Sequence, residues 1–239
     1  MLRLDNVHAF YGPIQVLFSI DLEVNDGEIV ALLGTNGAGK TTILRVISGV
    51  KRPALGDVVW NDESIKGLRP PEVLKRGIVQ MPGGRGVFPG MTVEENLEVA
   101  GHSFGRDAER LRARIDSVLD TFPLLAQRRR QVAGSLSGGQ QQMLTLAKSF
   151  IVEPKLLLID ELSLGLAPKI VQELLEVITR LNREGVAVVL VDQHVDLALS
   201  IANRAYFLER GEIRFSGPAK KLRGRDDLLR SVFLAGARA

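Results

Sequence analysis

The chain predicts an α/β fold: a mostly parallel sheet with flanking helices, joined to an antiparallel β subdomain and interrupted by a helical insertion. Three observations carry this. The stretches Glu28–Leu33, Lys155–Asp160 and Val186–Val191 are almost wholly apolar between their polar ends, as strands covered on both faces must be. Leu2–Val7 and Val16–Val24 instead alternate apolar and polar residues, the mark of half-buried antiparallel partners. Residues from about 93 to 152 lack strand signals and read as helices. The whole chain, 1–239, is then a single domain, with a core over about 1–92 and 153–239 and a helical subdomain over about 93–152.

The elements follow in order. The turn at Tyr11-Gly12-Pro13 separates the first two strands, and a helix after Glu28–Leu33 runs to about Gly49. Asp57–Trp60 is a further short strand, and Pro70–Gly77 is a short helix with proline at its start and glycine at its end. Ile78–Met81 reads as a central strand, and Pro82–Gly90 as an exposed Gly/Pro loop. Thr92 and Glu95 form a capping box for the next helix. Arg106–Asp120 carries Leu111, Ile115, Val118 and Leu119 at helical spacing on a highly charged background, an amphipathic surface helix. Pro168–Glu184 is a helix stopped by Gly185. Asn203–Leu208 and Glu212–Phe215, joined at Arg210-Gly211, form a closing hairpin, and the tail from Pro218 is mostly helical.

Composition narrows the class. Of 239 residues 45% are hydrophobic, enough for a sizeable core, and the absence of cysteine removes disulfides and thiolate metal sites. A net charge of +3 does not call for nucleic acid, and Arg128-Arg129-Arg130 reads as a solvated face. No apolar run reaches the ~20 residues of a spanning helix, and Met1–Asp5 lacks the apolar region of a signal peptide, so a soluble protein without direct membrane insertion is expected.

Leu33-Gly34-Thr35-Asn36-Gly37-Ala38-Gly39-Lys40-Thr41-Thr42 fits G-x-x-x-x-G-K-[ST] between a strand and a helix. Glycines let backbone N–H groups turn inward, the helix dipole adds positive potential, and the pattern assigns Lys40 to β- and γ-phosphate oxygens and the Thr41 hydroxyl to Mg²⁺. Asp160-Glu161 closes a buried strand at the sheet edge where α/β folds bind ligands: Asp160 is a candidate Mg²⁺ ligand and Glu161 a candidate base for an attacking water. Ser137 and Gln140 form a second capping box with Gly138 and Gly139 between them, a second helix N-terminus able to approach an anion.

With Leu136-Ser137-Gly138-Gly139-Gln140, the phosphate loop and Asp160-Glu161 together, the chain resembles the ATP-binding-cassette (ABC) ATPases over essentially its whole length. The resemblance implies a P-loop NTPase core and ATP held with Mg²⁺ between two ATPase subunits, the signature segment of one meeting the γ-phosphate on the other. It further implies that Tyr11 stacks on adenine, that Ser163-Leu164-Gly165-Leu166 crosses the dimer interface, and that His194 is the switch histidine. His8 and His102 remain structural. Two positions depart from the family. Registering on Phe88-Pro89 and Thr92–Asn96 puts Gly83 where other members carry Gln or Glu, while Gln80, three residues earlier, does not take that role. Water then fills the gap, or hydrolysis and coupling are weakened. Leu162 replaces a usual proline, with only a local backbone change expected.

Val87-Phe88-Pro89, Thr92–Leu97 and Ser163–Pro168 resemble the ATPases of branched-chain amino-acid importers. That implies a peripheral protein on the cytoplasmic face of the inner membrane, paired with a like or related ATPase and touching permease subunits through Gly83–Met91. The alternatives are an exporter or lipid-extraction ATPase, a soluble ABC ATPase of another pathway, and a regulatory ATP-binding subunit with poor hydrolysis.

Overall fold

A computed structural model describes residues 1–222 apart from Arg85, Arg106, Leu164 and Gln193, and without the Ser103 side chain. The expected tail helix lies, beyond Leu222, outside the described residues.

Strands β1 (Leu2–Tyr11) and β2 (Ile14–Val24) pair antiparallel, Leu2 opposite Val24 and Leu4 opposite Leu22. The alternation read in the sequence is the burial pattern: Leu2, Leu4, Val7 and Ala9 face the core. After β3 (Ile29–Gly34) and α1 (Lys40–Ile47), strands β4 (Leu55–Trp60) and β5 (Glu63–Ser64) complete a four-stranded antiparallel sheet in the order β2-β1-β4-β5.

The larger sheet uses β3 with β6 (Ile78–Met81), β7 (Leu156–Asp160), β8 (Ala187–Val191), β9 (Arg204–Glu209) and β10 (Glu212–Pro218), in the order β10-β9-β3-β8-β7-β6. All neighbours are parallel except the closing β9–β10 hairpin. Strand parity divides the core. Ile29, Ala31, Leu33, Leu157, Ile159, Val188 and Leu190 face one side, and Val30, Leu32, Leu156, Leu158, Val189 and Val191 face the other. Each fully buried aliphatic side chain is worth about 1.5–3 kcal/mol of transfer free energy, which is why these strands show no polar alternation.

One expectation is overturned here: among the described residues β6 is an edge strand, hydrogen-bonded within the sheet only to β7. Its apolar sequence arises because helices α2 (Pro70–Leu74) and α6 (Gly138–Ile151) pack near it, so coverage of its faces imitated a central position.

Between β6 and β7 the described elements are α3 (Val93–Ala100), α4 (Ala108–Thr121), α5 (Pro123–Ala126) and α6, with short 3₁₀ turns at Gly101–Phe104 and Ala133–Ser135. The Thr92–Glu95 capping box forms in both directions. On α4, Ile115, Val118 and Leu119 are buried and the charged face is exposed. The basic run is not merely solvated: the Arg129 guanidinium reaches Glu94 and Asp116, both at 2.7 Å, and joins α3 to α4. Lys148 on α6 donates to Gly86 O at 2.7 Å and lies 4.4 Å from the centre of the Phe88 ring, while Asn96 bonds the Phe88 backbone through both amide atoms. The loop after β6 is therefore fastened to the helical layer. Helices α7 (Pro168–Arg183), α8 (Val195–Ile201) and α9 (Ala219–Leu222) complete the described chain.

Candidate nucleotide-hydrolysis site

The phosphate loop leaves β3 at Gly34 and enters α1 at Gly39, with φ of +148° and +106°. Both glycines also answer to packing. A Cβ on Gly34 would collide with Leu208 O, and one on Gly39 would lie 2.8 Å from Leu17 Cδ2. Gly37, also at positive φ, stands open beside exposed Asn36. Lys40 is only 7% exposed, and its ammonium donates to Gly34 O and Thr35 O, both at 2.8 Å. Burial lowers its pKa from the ordinary lysine range, opposed by the charges of Glu161 and Asp160. Thr42 is buried at the base of the loop. The Tyr11 ring is 40% exposed at the end of β1, with Lys51 Nζ 4.7 Å from its centre and Arg45 donating to its hydroxyl at 3.2 Å. Burial opposes ionisation of that hydroxyl, but the bonds to Arg45 and Thr42 outweigh it and lower its pKa.

Asp160 ends β7 directly across from α1, and the Thr41 hydroxyl donates to its Oδ1 at 3.2 Å. Burial raises the Asp160 pKa, with the Thr41 bond acting against it. Glu161 adopts φ +54°, a left-handed conformation that costs a side-chain-bearing residue about 1–3 kcal/mol. Its N–H donates to Val191 O at 2.8 Å, binding the turn after β7 to β8. Both carboxylates open on a groove of about 1120 Å³, shared with Thr41, Arg45, Gln80 and Gly83.

Gly83 lies against this pair: a Cβ there would stand 3.1 Å from Asp160 O and 3.8 Å from Glu161 Cβ. Gln80 is engaged elsewhere, accepting from the Ser48 hydroxyl at 2.6 Å. Leu162 sinks into the core at 1% exposure. The donor set, one hydroxyl and one carboxylate at the mouth of a phosphate loop, offers hard oxygens suited to Mg²⁺ completed by substrate oxygens. Among the described residues no group of three or more His, Asp or Glu side chains could cage a metal alone.

The second capped helix N-terminus forms as expected: Gln140 N donates to Ser137 Oγ at 3.4 Å, and Ser137 N to Gln140 Oε1 at 3.1 Å. Its two glycines differ. Gly138 faces open space, whereas a Cβ on Gly139 would lie 2.6 Å from Ile170 Cγ2 on α7. Only Gly138 is free for approach from outside; Gly139 is small because α6 packs on α7. Gln141 donates to Ala133 O and Leu136 O beneath this turn, and its buried Oε1 has no hydrogen-bond partner, a cost of about 1–3 kcal/mol.

His194 lies at the start of the helix that follows β8. It caps α8, lines a groove between α7 and α8, and its Nδ1 lies 2.7 Å from Ser163 Oγ. It is linked to Glu161 through Ser163, two residues along the chain. Leu164 and Gln193, neighbours of these segments, lie outside the described residues. His8 bonds Asn6 and Gln15 within the antiparallel sheet, whereas His102 is exposed and lines the groove below Glu161. Sequence reasoning missed Asp192. The signal was present: an apolar run ending in Asp occurs at Leu156–Asp160 and again at Ala187–Asp192, on adjacent parallel strands.

A phosphate loop, a strand-end Asp-Glu pair and a second capped helix on one α/β core define an ATP-binding cassette. The ABC transporter family model matches residues 17–163, and the chain belongs to that family, whose cassettes are ATPases. It is 46% identical to the high-affinity branched-chain amino acid transport ATP-binding protein BraG of Pseudomonas aeruginosa, over 89% of this chain and 91% of that protein. It is 36% identical to the probable branched-chain amino acid transport ATP-binding protein LivF of Archaeoglobus fulgidus, over 93% and 94%. Among solved structures, a nucleotide-free ATP-binding cassette from an ABC transporter superposes with a TM-score of 0.86 at 23% identity, covering 98% of this chain and 94% of that one. A dimeric bacterial ABC transporter cassette superposes with a TM-score of 0.81 at 26% identity, covering 92% and 99%.

Proposed function

We propose that this chain is the ATP-hydrolysing subunit of an importer for branched-chain or other hydrophobic amino acids or small amides. The observation that carries the hydrolytic reading is the meeting of Thr41, Asp160 and Glu161 at one sheet edge, beside the loop that holds Lys40. The transport names of the relatives favour uptake over export or a non-transport role. On this reading residues 93–152 act as a helical subdomain carrying Ser137–Gln140, and two subunits close on two ATP molecules.

In that closed pair Lys40 releases Gly34 O and Thr35 O and turns to phosphate oxygens, and Glu161 accepts a proton from the attacking water. Gly34, Asn36, Gly37, Gly39, Thr41 and Thr42 line the phosphate cradle, Tyr11 meets the base, and Ser137, Gly138, Gly139 and Gln140 form the signature end that faces the partner's nucleotide. Thr41 and Asp160 would hold Mg²⁺, which neutralises phosphate charge when bound. His194, tied to this centre through Ser163, reaches the γ-phosphate and helps balance charge on the transferring phosphoryl group. The permease surface is Gly83–Met91 at the cytoplasmic face of the inner membrane. Among the described residues no helix is long and apolar enough to cross a membrane, which suits a peripheral subunit.

Glu161→Gln is expected to leave ATP binding intact, lower steady-state turnover by about 100-fold or more, and accumulate an ATP-dependent dimer by size-exclusion chromatography. Turnover equal to wild type would refute the assignment. Uptake of labelled leucine by vesicles holding the cognate permease subunits tests the transport reading separately.

A further inference from the structure

The turn after β7 is held by a residue that takes no part in the phosphate cradle. Asp192 stands one residue past β8, and its side chain is 2% exposed. Its carboxylate accepts from Ser163 N–H at Oδ2, 3.0 Å, from Ser163 Oγ–H at Oδ1, 2.6 Å, and from His194 N–H at Oδ1, 2.8 Å. One buried anion thus joins the segment that follows Glu161 to the segment that begins α8. Glu161 needs such a brace. Its left-handed backbone persists only where its surroundings over-determine it, and its N–H is tied to Val191 O, on the strand that leads to Asp192.

The same bonds fix a proton. The Ser163 hydroxyl has one hydrogen, and at 2.6 Å from an ionised carboxylate that hydrogen points to Asp192. The reverse assignment would set two acceptor oxygens against each other. Ser163 Oγ therefore accepts from His194 Nδ1 at 2.7 Å, with Asp192 Oδ1 a longer second acceptor at 3.3 Å. The neutral His194 ring is then protonated on Nδ1, and its Nε2 carries a lone pair. His8 has the opposite arrangement: Gln15 Nε2 donates to its Nδ1 at 2.9 Å and its Nε2 donates to Asn6 Oδ1 at 3.1 Å. One chain holds two histidines in opposite tautomers, each set by its neighbours.

We infer that Asp192 is a positioning residue for ATP hydrolysis: it fixes the Glu161–Ser163 turn through its backbone contact and, through the Ser163 hydroxyl, holds His194 as the Nδ1–H tautomer. A neutral His194 then offers an acceptor outward, so it does not donate to a phosphate oxygen unless it gains a second proton. The catalytic half of this inference rests on Glu161 as the base; the tautomer half does not.

The test uses the full chain labelled with ¹⁵N-histidine at alkaline pH, where imidazoles are neutral. His194 resonances are assigned by their loss in His194→Gln. Two-bond ¹⁵N–¹H correlations are expected to show Nδ1–H for His194 and Nε2–H for His8. Ser163→Ala, which leaves Nδ1 only the longer contact to Asp192 Oδ1, is expected to raise the Nε2–H fraction of His194 while leaving His8 unchanged. Asp192→Asn, which cannot accept from both Ser163 donors and His194 as the carboxylate does, is expected to lower kcat by about tenfold or more with KM for ATP within about twofold. Ser163→Ala keeps the backbone bond to Asp192 and should lose less kcat, and Asp192→Glu should recover part of the loss. An Nε2–H tautomer for wild-type His194, or Asp192→Asn turnover equal to wild type, overturns the inference. Should Asp192→Asn fail to fold, the wild-type and Ser163→Ala spectra still decide the tautomer. A normal kcat in Glu161→Gln with Nδ1–H on His194 would sink the base assignment and leave the tautomer standing.

Discussion

The molecule carries two glycine-bearing helix N-termini, and they are built in opposite ways. The phosphate loop is braced from within: its glycines are pressed by Leu208 and Leu17, and its lysine is buried against loop carbonyls. The signature turn is closed by its own side chains, Ser137 and Gln140, and held from beneath at Gly139 and Gln141, with open space beyond Gly138. On the proposed reading the first seats phosphates with this chain's own residues. The second faces open space at Gly138 and, on the proposed reading, serves a nucleotide brought to it. The contrast teaches that equal glycine content does not mean equal function, because one glycine can serve packing while its neighbour serves approach.

The largest expected break in the contrast is at Lys40. Lys40→Ala removes the one buried cation of the first cradle among its described side chains and should weaken ATP binding by about 10- to 100-fold, measured by titration with a fluorescent ATP analogue. Next comes Gly139→Ala, whose methyl group would meet Ile170 at 2.6 Å. Overpacking of this kind costs about 1–3 kcal/mol, so thermal unfolding of the isolated chain should shift downward. Gly138→Ala is the sharper probe. Its methyl group meets nothing within 4 Å, and alanine in a helix gains up to about 1 kcal/mol over glycine. The isolated chain should be as stable as wild type or more so, while ATP-dependent dimerisation falls; unimpaired dimerisation would mean that this surface meets no partner.

The smallest effect concerns charge at the seam of the first cradle. Burial raises the Asp160 pKa in the fold, so the folded state holds that proton more tightly than the unfolded chain. Stability from this group is present at acid pH and is lost as pH rises through the carboxylate range up to the folded value. Asp160→Asn should therefore raise the melting temperature at neutral pH, and the advantage should vanish on acidification below the ordinary carboxylate range. A constant difference between pH 4 and pH 8 would contradict this.

Much of this was legible in the sequence because the governing physics is local. A capping box, a glycine-rich strand-to-helix turn and an apolar run ending in acid are defined by neighbours in the chain, so Ser137–Gln140, Gly34–Thr42 and Asp160–Glu161 stood out. What stayed hidden depends on partners far along the chain. Ile78–Met81 looked central because helices cover it, and pairing on one side alone leaves no mark on side-chain type. Arg129 looked solvated because Glu94 and Asp116 come from two other helices. Asp192 drew no attention because its donors belong to Ser163 and His194, and only the parallel register of β7 and β8 brings them together.

The edges of the larger sheet bear on how the protein behaves in crowded solution. One edge, β6, is four residues long and is followed at once by Pro82; the other, β10, ends on Pro218. A proline lacks the N–H that a growing ladder would need, and a short edge gives an incoming strand little to grip. Strand addition at either edge of the larger sheet is thus disfavoured.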